Sequence, residues 1–413
     1  MADELPDLPW ADLAARFNFT HANPKASDYK DLFPRLEPEP TLVPGINDFI
    51  RVFTEAIAEH SARERSKYAT EYTSPPHDEI LVDDETVREI SPLFGRLPEY
   101  EHLINNPSCR HHSDPPCKCL VPYSERRADG LLRPWEVNHC YEFEEVNGAG
   151  WKSWQFLLTL LIHGKMEPLL RLAANPDNDF DIWSTVCVCQ CGVSIADEGS
   201  ARHMYENATL VFICLQILRQ HPETWTRCDY RLTKMYQRMI SQATGGDAYS
   251  QLPYFSHLYF LGLPERPGGL APYTRIPQRD VFDVEYMPHD SDILPVEEML
   301  KKRGLPTELV AEVMDLANYR PRRRLKVAHN PFHRDNWEEL DKYLAECWAV
   351  MVRGNVFAKA FGCEMDWCNE LVKAFKQLFP GLRSIRVPET VQSDDAYVPL
   401  IYRLVCRSNL SEG

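Results

Sequence analysis

The stretch Leu305-Pro306-Thr307-Glu308-Leu309-Val310-Ala311-Glu312-Val313-Met314-Asp315-Leu316-Ala317-Asn318-Tyr319 is where pattern, start signal and stop signal all agree. Leu305, Leu309, Val313 and Leu316, with Val310 and Met314 beside them, recur at spacings of three and four and form one apolar stripe of a helix. Glu308, Glu312 and Asp315 take the other face. Pro306 suits a first helical turn, where its missing N–H costs nothing. Glu308 lies where a carboxylate meets the positive end of the helix dipole. Pro321 ends the segment, and the run Arg320, Arg322, Arg323, Arg324 surrounds it. The pattern predicts an amphipathic helix, whose stripe is either buried in a core or offered to a partner.

The opening Leu305-Pro306 and the repeated apolar residues make this segment resemble the first helix of an F-box, the helical module that docks an adaptor into ubiquitin ligases. The resemblance covers about fifteen of the 413 residues. It implies a partner-facing helix with Leu305, Pro306, Leu309 and Val313 at the contact. Glu346 to Met351 resembles the module's last helix. An F-box usually lies near the N-terminus, continues into further short helices and precedes a substrate-binding repeat domain. Here the segment is late, runs into the basic loop Arg320 to His333, and is followed by too little chain for such repeats. The region from Leu305 to Gly362 also resembles uncharacterised fungal proteins, a family that carries no known activity.

Outward from this helix, composition narrows the classes. A length of 413 residues favours two or three domains, and 44% hydrophobic with 26% charged residues is a globular composition. Lys plus Arg is 45 against 61 for Asp plus Glu, a net charge of −16. That disfavours general binding to nucleic acid or anionic membrane, both of which need basic surface, and leaves only a local patch at Arg320–Lys326. Met1-Ala2-Asp3-Glu4-Leu5 is acidic with no apolar run behind it, so no signal peptide is expected. Phe156 to Ile162 is too short to span a bilayer. The 13 cysteines are then read as reduced thiols or metal ligands of a cytoplasmic or nuclear protein.

The chain divides into an extended N-terminal arm (1–44), a helical domain with Cys/His-rich insertions (45–244), a Pro/Gly-rich linker or covering loop (245–295) and a C-terminal helical domain (296–413). Helices are expected at Ile46–Tyr72, as two short pieces split by Pro92 and Pro98 within Glu85–Ile104, and at Ala201–Arg219, Tyr230–Ala243, Val296–Arg303, Asn336–Phe361 and Trp367–Leu378. Trp151–Ala174 is dense enough in apolar residues to predict one long helix at the centre of a bundle. Asp335 and Glu338 have capping-box spacing, and Val398–Val405 reads as a late strand. The fold class is mainly α: a multi-helix bundle with irregular Cys-rich insertions and a little β near the C-terminus.

Chemistry concentrates in two clusters, Cys109, His111, His112, Cys117 and Cys119, then Cys187, Cys189 and Cys191, with His139 and Cys140 between. Thiolates and imidazoles this close, on Pro- and Gly-containing turns, suit a tetrahedral zinc, although neither cluster is a paired C-x-x-C. Buried free thiols are the alternative. His77-Asp78, His289-Asp290, His329, His333 and Asp335 contain the parts of a 2-His-1-carboxylate site, but Pro331 keeps His329 and His333 off one helix. Signatures of activated nucleophiles, phosphate loops and dinucleotide turns are absent. Arg322, Arg323 and Arg324 either grip a phosphate or an acidic partner, or form a solvated loop that pairs with the chain's own carboxylates. These readings favour a non-enzymatic interaction or adaptor protein on a zinc-stabilised helical scaffold, linked to a ubiquitin ligase through the F-box-like helix. A metal-dependent enzyme using the Cys/His clusters comes second, and a nucleic-acid-associated factor using the Arg patch third.

Overall fold

A helix apolar on one stripe lies on a surface, whereas one apolar around most of its girth must be covered on every side. Such a helix sits at the centre of this protein. The computed structural model describes residues 5–15, 17–20, 35–38, 42–94, 127–128, 157, 159–176, 201–222, 230–243, 257–262, 287–317 and 319–379. In chain order they form α1 (Trp10–Ala14), β1 (Phe17–Thr20), β2 (Arg35–Pro38), α2 (Leu42–Arg65), α3 (Asp84–Phe94), α4 (Met166–Ala173), α5 (Ala201–Gln220), α6 (Lys234–Ala243), α7 (His257–Leu261), α8 (Asp290–Lys302), α9 (Thr307–Leu316), α10 (Trp337–Ala360) and α11 (Trp367–Leu378). The protein is mainly α. β1 and β2 pair antiparallel, with Phe17 opposite Pro38 and Thr20 opposite Arg35. The strand expected at Val398–Val405 lies outside the described residues.

The central helix is α10. Of its 24 residues 13 are buried, more than one stripe can hold. Helices α2, α4 and α5 pack against it. Trp348 meets Phe53 from α2 at 5.2 Å and Phe212 from α5 at 5.6 Å between ring centroids. Phe49 links this group to Phe375 of α11 at 6.0 Å and to Trp10 of α1 at 4.8 Å. Burying one such ring stabilises by about 2–3 kcal/mol, whereas an exposed ion pair contributes about 0.5 kcal/mol. The aromatic cluster therefore outweighs surface pairs such as Arg51–Glu55 and Arg63–Glu59. Helix α2 feeds the cluster because Ile46, Phe49, Phe53 and Ile57 share one face, and all four are buried.

Several expectations need correction. Residues 10–14 of the expected extended arm are a helical turn that buries Trp10, Leu13 and Ala14. Helix α2 ends at Arg65, not Tyr72, where the Arg65 guanidinium donates to the carbonyls of Tyr68, Ala69 and Thr70. Helix α3 runs through Pro92 to Phe94 instead of splitting there. Asp83 starts it by accepting from the Thr86 amide at 2.7 Å, a bond that holds the Asp83 carboxyl below its usual range. The segment expected as one helix over Tyr230–Ala243 divides at Thr233, whose hydroxyl accepts from the Tyr236 amide and opens α6.

The largest correction falls within Trp151–Ala174, where residues 159–163 are helical but the helix stops. Gly164 has φ +70°. Its amide bonds the Leu161 carbonyl at 3.2 Å, and the Lys165 amide bonds the Leu160 carbonyl at 2.8 Å. These two bonds are a Schellman cap, which ends a helix on a left-handed residue. The Arg353 guanidinium of α10 covers the turn by donating to the Leu161 and Ile162 carbonyls.

A Cβ on Gly164 would stand 3.0 Å from the Arg353 guanidinium and force a residue with a side chain into positive φ. Gly164→Ala should therefore destabilise by about 1–2 kcal/mol. Gly354→Ala is the control. It lies inside α10 with nothing within 4 Å of an added Cβ, and should stabilise by about 0.5–1 kcal/mol. Urea midpoints of both variants, measured at unchanged m-value, check the pair.

Candidate functional site

The chain between α9 and α10 is basic in sequence, yet it folds inward. Arg323 is 8% exposed. Its guanidinium donates to the carbonyls of Met287, Leu325 and Lys326 and reaches Asp292 of α8 at 3.3 Å. Arg324 donates to both oxygens of Glu346 and to Glu339, while its cation lies 5.8 Å from the Phe260 and Tyr343 ring centroids. Those two rings stack at 3.6 Å. The Arg324 amide bonds the Tyr259 carbonyl, and the His329 amide bonds that of Leu261, which lays the loop along α7. Asn336 staples it shut, accepting from the Val327 amide and donating to the Val327 and Asn330 carbonyls. The Asp335–Glu338 capping box is therefore not the start of α10. A 3-10 turn, Arg334–Asn336, precedes it and is capped by His333. Of the three arginines expected to meet a partner, Arg323 and Arg324 are turned into the fold, and Arg322 is partly buried with its amide on the Pro288 carbonyl.

The histidines considered for an iron site do separate work. His289 caps α8 by accepting from the Ser291 amide, while Asp292 accepts from the His289 amide. This box starts α8 at Asp290 instead of Val296. His333 accepts from the Asp335 amide. His77 is exposed. His329 has φ +59°, a strained conformation for a residue with a side chain. Its buried Nδ1 has no hydrogen-bond partner among the described residues. Burial, with Arg231 and Arg323 nearby, lowers its pKa to about 4. His257 pairs with the Tyr343 hydroxyl, and full burial lowers its pKa to about 3.

Among the described residues no three of His, Cys, Asp and Glu are grouped to hold a metal ion. Cys109, His111, His112, Cys117, Cys119, Cys187, Cys189 and Cys191 all lie outside the described residues. Cys214 and Cys347 are buried thiols, their pKa values raised by burial.

Two clefts flank the last turns of α2, and neither was anticipated. In one, of about 210 Å³, Glu64 accepts from Lys67 at 2.6 Å and from the Tyr68 hydroxyl at 2.9 Å, with Arg353 at 3.9 Å. Burial and the Glu64 charge push the Tyr68 hydroxyl up. The Trp348 indole donates to His60 Nδ1 at 3.1 Å. An indole N–H only donates, so this contact places the imidazole proton on Nε2. The sequence did hold a signal for this cluster, since Glu64 follows Ile57 by seven residues on the apolar face of α2. The other cleft, of about 450 Å³, lies between α2, α4 and the end of α10 and includes Arg65 and Lys359.

Helices α8 and α9 form a hairpin. No residue of α8 is buried, and α9 buries only Val310 and Met314. Leu309, Val313 and Leu316, three members of the apolar stripe of residues 305–316, are 48%, 40% and 82% exposed. Leu305 is partly buried and Pro306 exposed.

Together these features define a mainly α-helical protein with a clamped arginine loop, two clefts on α2 and an outward-facing apolar hairpin. The family described as "Gramillins biosynthetic cluster protein GRA5" matches residues 11–385, and the chain belongs to that family. This agrees with the resemblance of residues 305–362 to a fungal family and extends it over most of the chain. No curated protein and no solved structure matches.

The two depressed histidines give a pH dependence of defined sign. Above about pH 6.5 both are neutral whether the chain is folded or not. As pH falls toward 4 the unfolded chain binds protons that the folded chain refuses, so stability is lost. His257 contributes a slope of up to about 1.4 kcal/mol per pH unit. Urea unfolding at pH 7, 6 and 5 should show this decline, and His257→Phe should make it shallower whatever its stability at pH 7.

Proposed function

We propose that this chain is a non-enzymatic interaction protein serving a biosynthetic cluster, with the α8–α9 hairpin as its partner-facing element. One observation carries the reading. Of the seven large apolar residues exposed among the described residues, five lie on this hairpin: Leu294, Met299, Leu309, Val313 and Leu316. Exposed apolar residues concentrated on one element mark an interaction site more often than scattered single ones do. Leu309, Val313 and Leu316 have the spacing by which a helix anchors in an apolar groove. Glu308, Glu312 and Asp315 are exposed beside them and suit a basic rim on the partner. The description of the matching family as a biosynthetic cluster protein supports that setting.

The resemblance of residues 305–319 to the first helix of an F-box supports a ubiquitin-ligase adaptor as that partner. A purified adaptor should bind the full chain, and Leu309→Glu with Val313→Glu should weaken binding at least tenfold. Both positions are exposed, so the variant should keep the wild-type circular dichroism and melting temperature. Equal binding by the variant sinks the hairpin assignment, and no binding by the wild type sinks the adaptor.

The scaffold half of the proposal is a structural zinc held by Cys109, His111, His112, Cys117 and Cys119 with Cys187, Cys189 and Cys191. Elemental analysis of untagged protein should find stoichiometric zinc, lost together with several degrees of melting temperature in Cys117→Ser and Cys189→Ser. A metal-free wild type would falsify it.

A further inference from the structure

The 450 Å³ cleft between α2, α4 and α10 is within the size range of small-molecule sites, whereas the 210 Å³ cleft beside it is below that range. The two also differ in charge. The smaller holds Glu64 against its cations, while the larger has Arg65 and Lys359 in its wall and no carboxylate among the described residues, in a chain of net charge −16. The rest of its lining is mostly aliphatic, with Leu170 and Val356 buried at the floor and Ala58, Ala62, Ala174 and Ala360 around them, beside Thr70 and Tyr72. Ser61 is already committed, donating to the Val352 carbonyl and accepting from Asn355, and so adds no demand of its own.

The cations have capacity left. A guanidinium carries five N–H groups, and Arg65 makes three contacts among the described residues, to the carbonyls of Tyr68, Ala69 and Thr70. Two N–H groups remain on a side chain pinned by the other three. Lys359 is exposed in the last turn of α10. Helix C-termini carry partial negative charge, about half a unit each, and α2, α4 and α10 all end here. The ends of α4 and α10 are covered, because the amides of Ala174 and Asn175 bond the Arg171 and Leu172 carbonyls, and those of Phe361, Gly362 and Cys363 bond Phe357, Ala358 and Lys359. Two full positive charges over an apolar floor then set the preference.

We propose that this cleft binds a small carboxylate-headed ligand, its acid group between Arg65 and Lys359 and its apolar body over Ala62, Leu170 and Val356. An acyl carboxylate and the C-terminal residue of a short peptide share this chemistry. The body exchanges water for the aliphatic floor, and the carboxylate receives charge-assisted hydrogen bonds from a donor already held in place.

Isothermal titration of the full chain with octanoate below its micelle concentration, and with N-acetyl-leucyl-leucine, tests the site. Octanamide and octylammonium serve as neutral and cationic counterparts. At least one carboxylate should bind about tenfold or more tighter than octanamide and octylammonium, and the one that binds identifies the source. Lys359→Glu should abolish that preference, and Ala62→Phe, at an exposed position in the lining, should block binding altogether. Both variants should keep the wild-type melting temperature. The proposal is overturned if neither carboxylate binds, if octanamide or octylammonium binds as tightly, or if Lys359→Glu binds the carboxylate unchanged.

Discussion

Covering α10 is the constraint on which the rest of this structure depends. A helix with 13 buried residues distributed around its axis has no solvent face to spare along most of its length. Three helices from distant parts of the chain are needed to enclose it. Hydrophobic burial alone would allow them to slide, because it is non-directional. A buried polar chain removes that freedom. The Trp367 indole donates to Asn355, Asn355 donates to Ser61, and the Ser61 hydroxyl donates to the Val352 carbonyl, at 3.0, 2.9 and 3.3 Å. These links tie α11, α10 and α2 in one register, since any slip would leave buried polar groups unsatisfied.

The arginine loop adds a second lock at the other end of α10. Burial alone would lower the Arg324 guanidinium pKa, but Glu346 and Glu339 outweigh it and raise it. Glu346 responds in the opposite sense: burial raises its carboxyl more than Arg324 lowers it. For Glu339 burial also raises the carboxyl, but Lys342 and Arg324 together outweigh it and hold the group below its usual range. In this partly buried cluster Arg324 is the most enclosed member, and losing its carboxylates would leave an uncompensated charge. The cluster's effect is to make one arrangement of α7, α10 and the connecting loop far better than its neighbours.

Parts of this were legible in the chain. α11 falls on Trp367–Leu378, and α10 lies within one residue of the expected Asn336–Phe361, because both have apolar periodicity and clear ends. Which helix is central was not legible. Trp151–Ala174 looked the most buried by apolar density, but Gly164 divides it, and a glycine inside a periodic pattern gives no sign of whether it will adopt positive φ. The α9 stripe was visible, yet amphipathicity says only that a face is apolar, not that the same molecule covers it. The inward turn of Arg323 and Arg324 depends on Met287, Asp292, Glu339 and Glu346, which only the tertiary fold assembles. The α2 clefts were missed for the same reason: His60 and Trp348 are 288 residues apart.

Helix α8 adds no buried residue, and its hairpin meets the body chiefly through Met287, Asp292 and the ends of the arginine loop. Its outward residues are therefore released from the volume matching that disciplines α10, where one methylene too many strains a close-packed interior. Substitutions at exposed hairpin positions such as Leu309, Val313 and Leu316 can accumulate without repacking the bundle. Outward surface and packed core become separable in a protein built this way, and the two can change at different tempos.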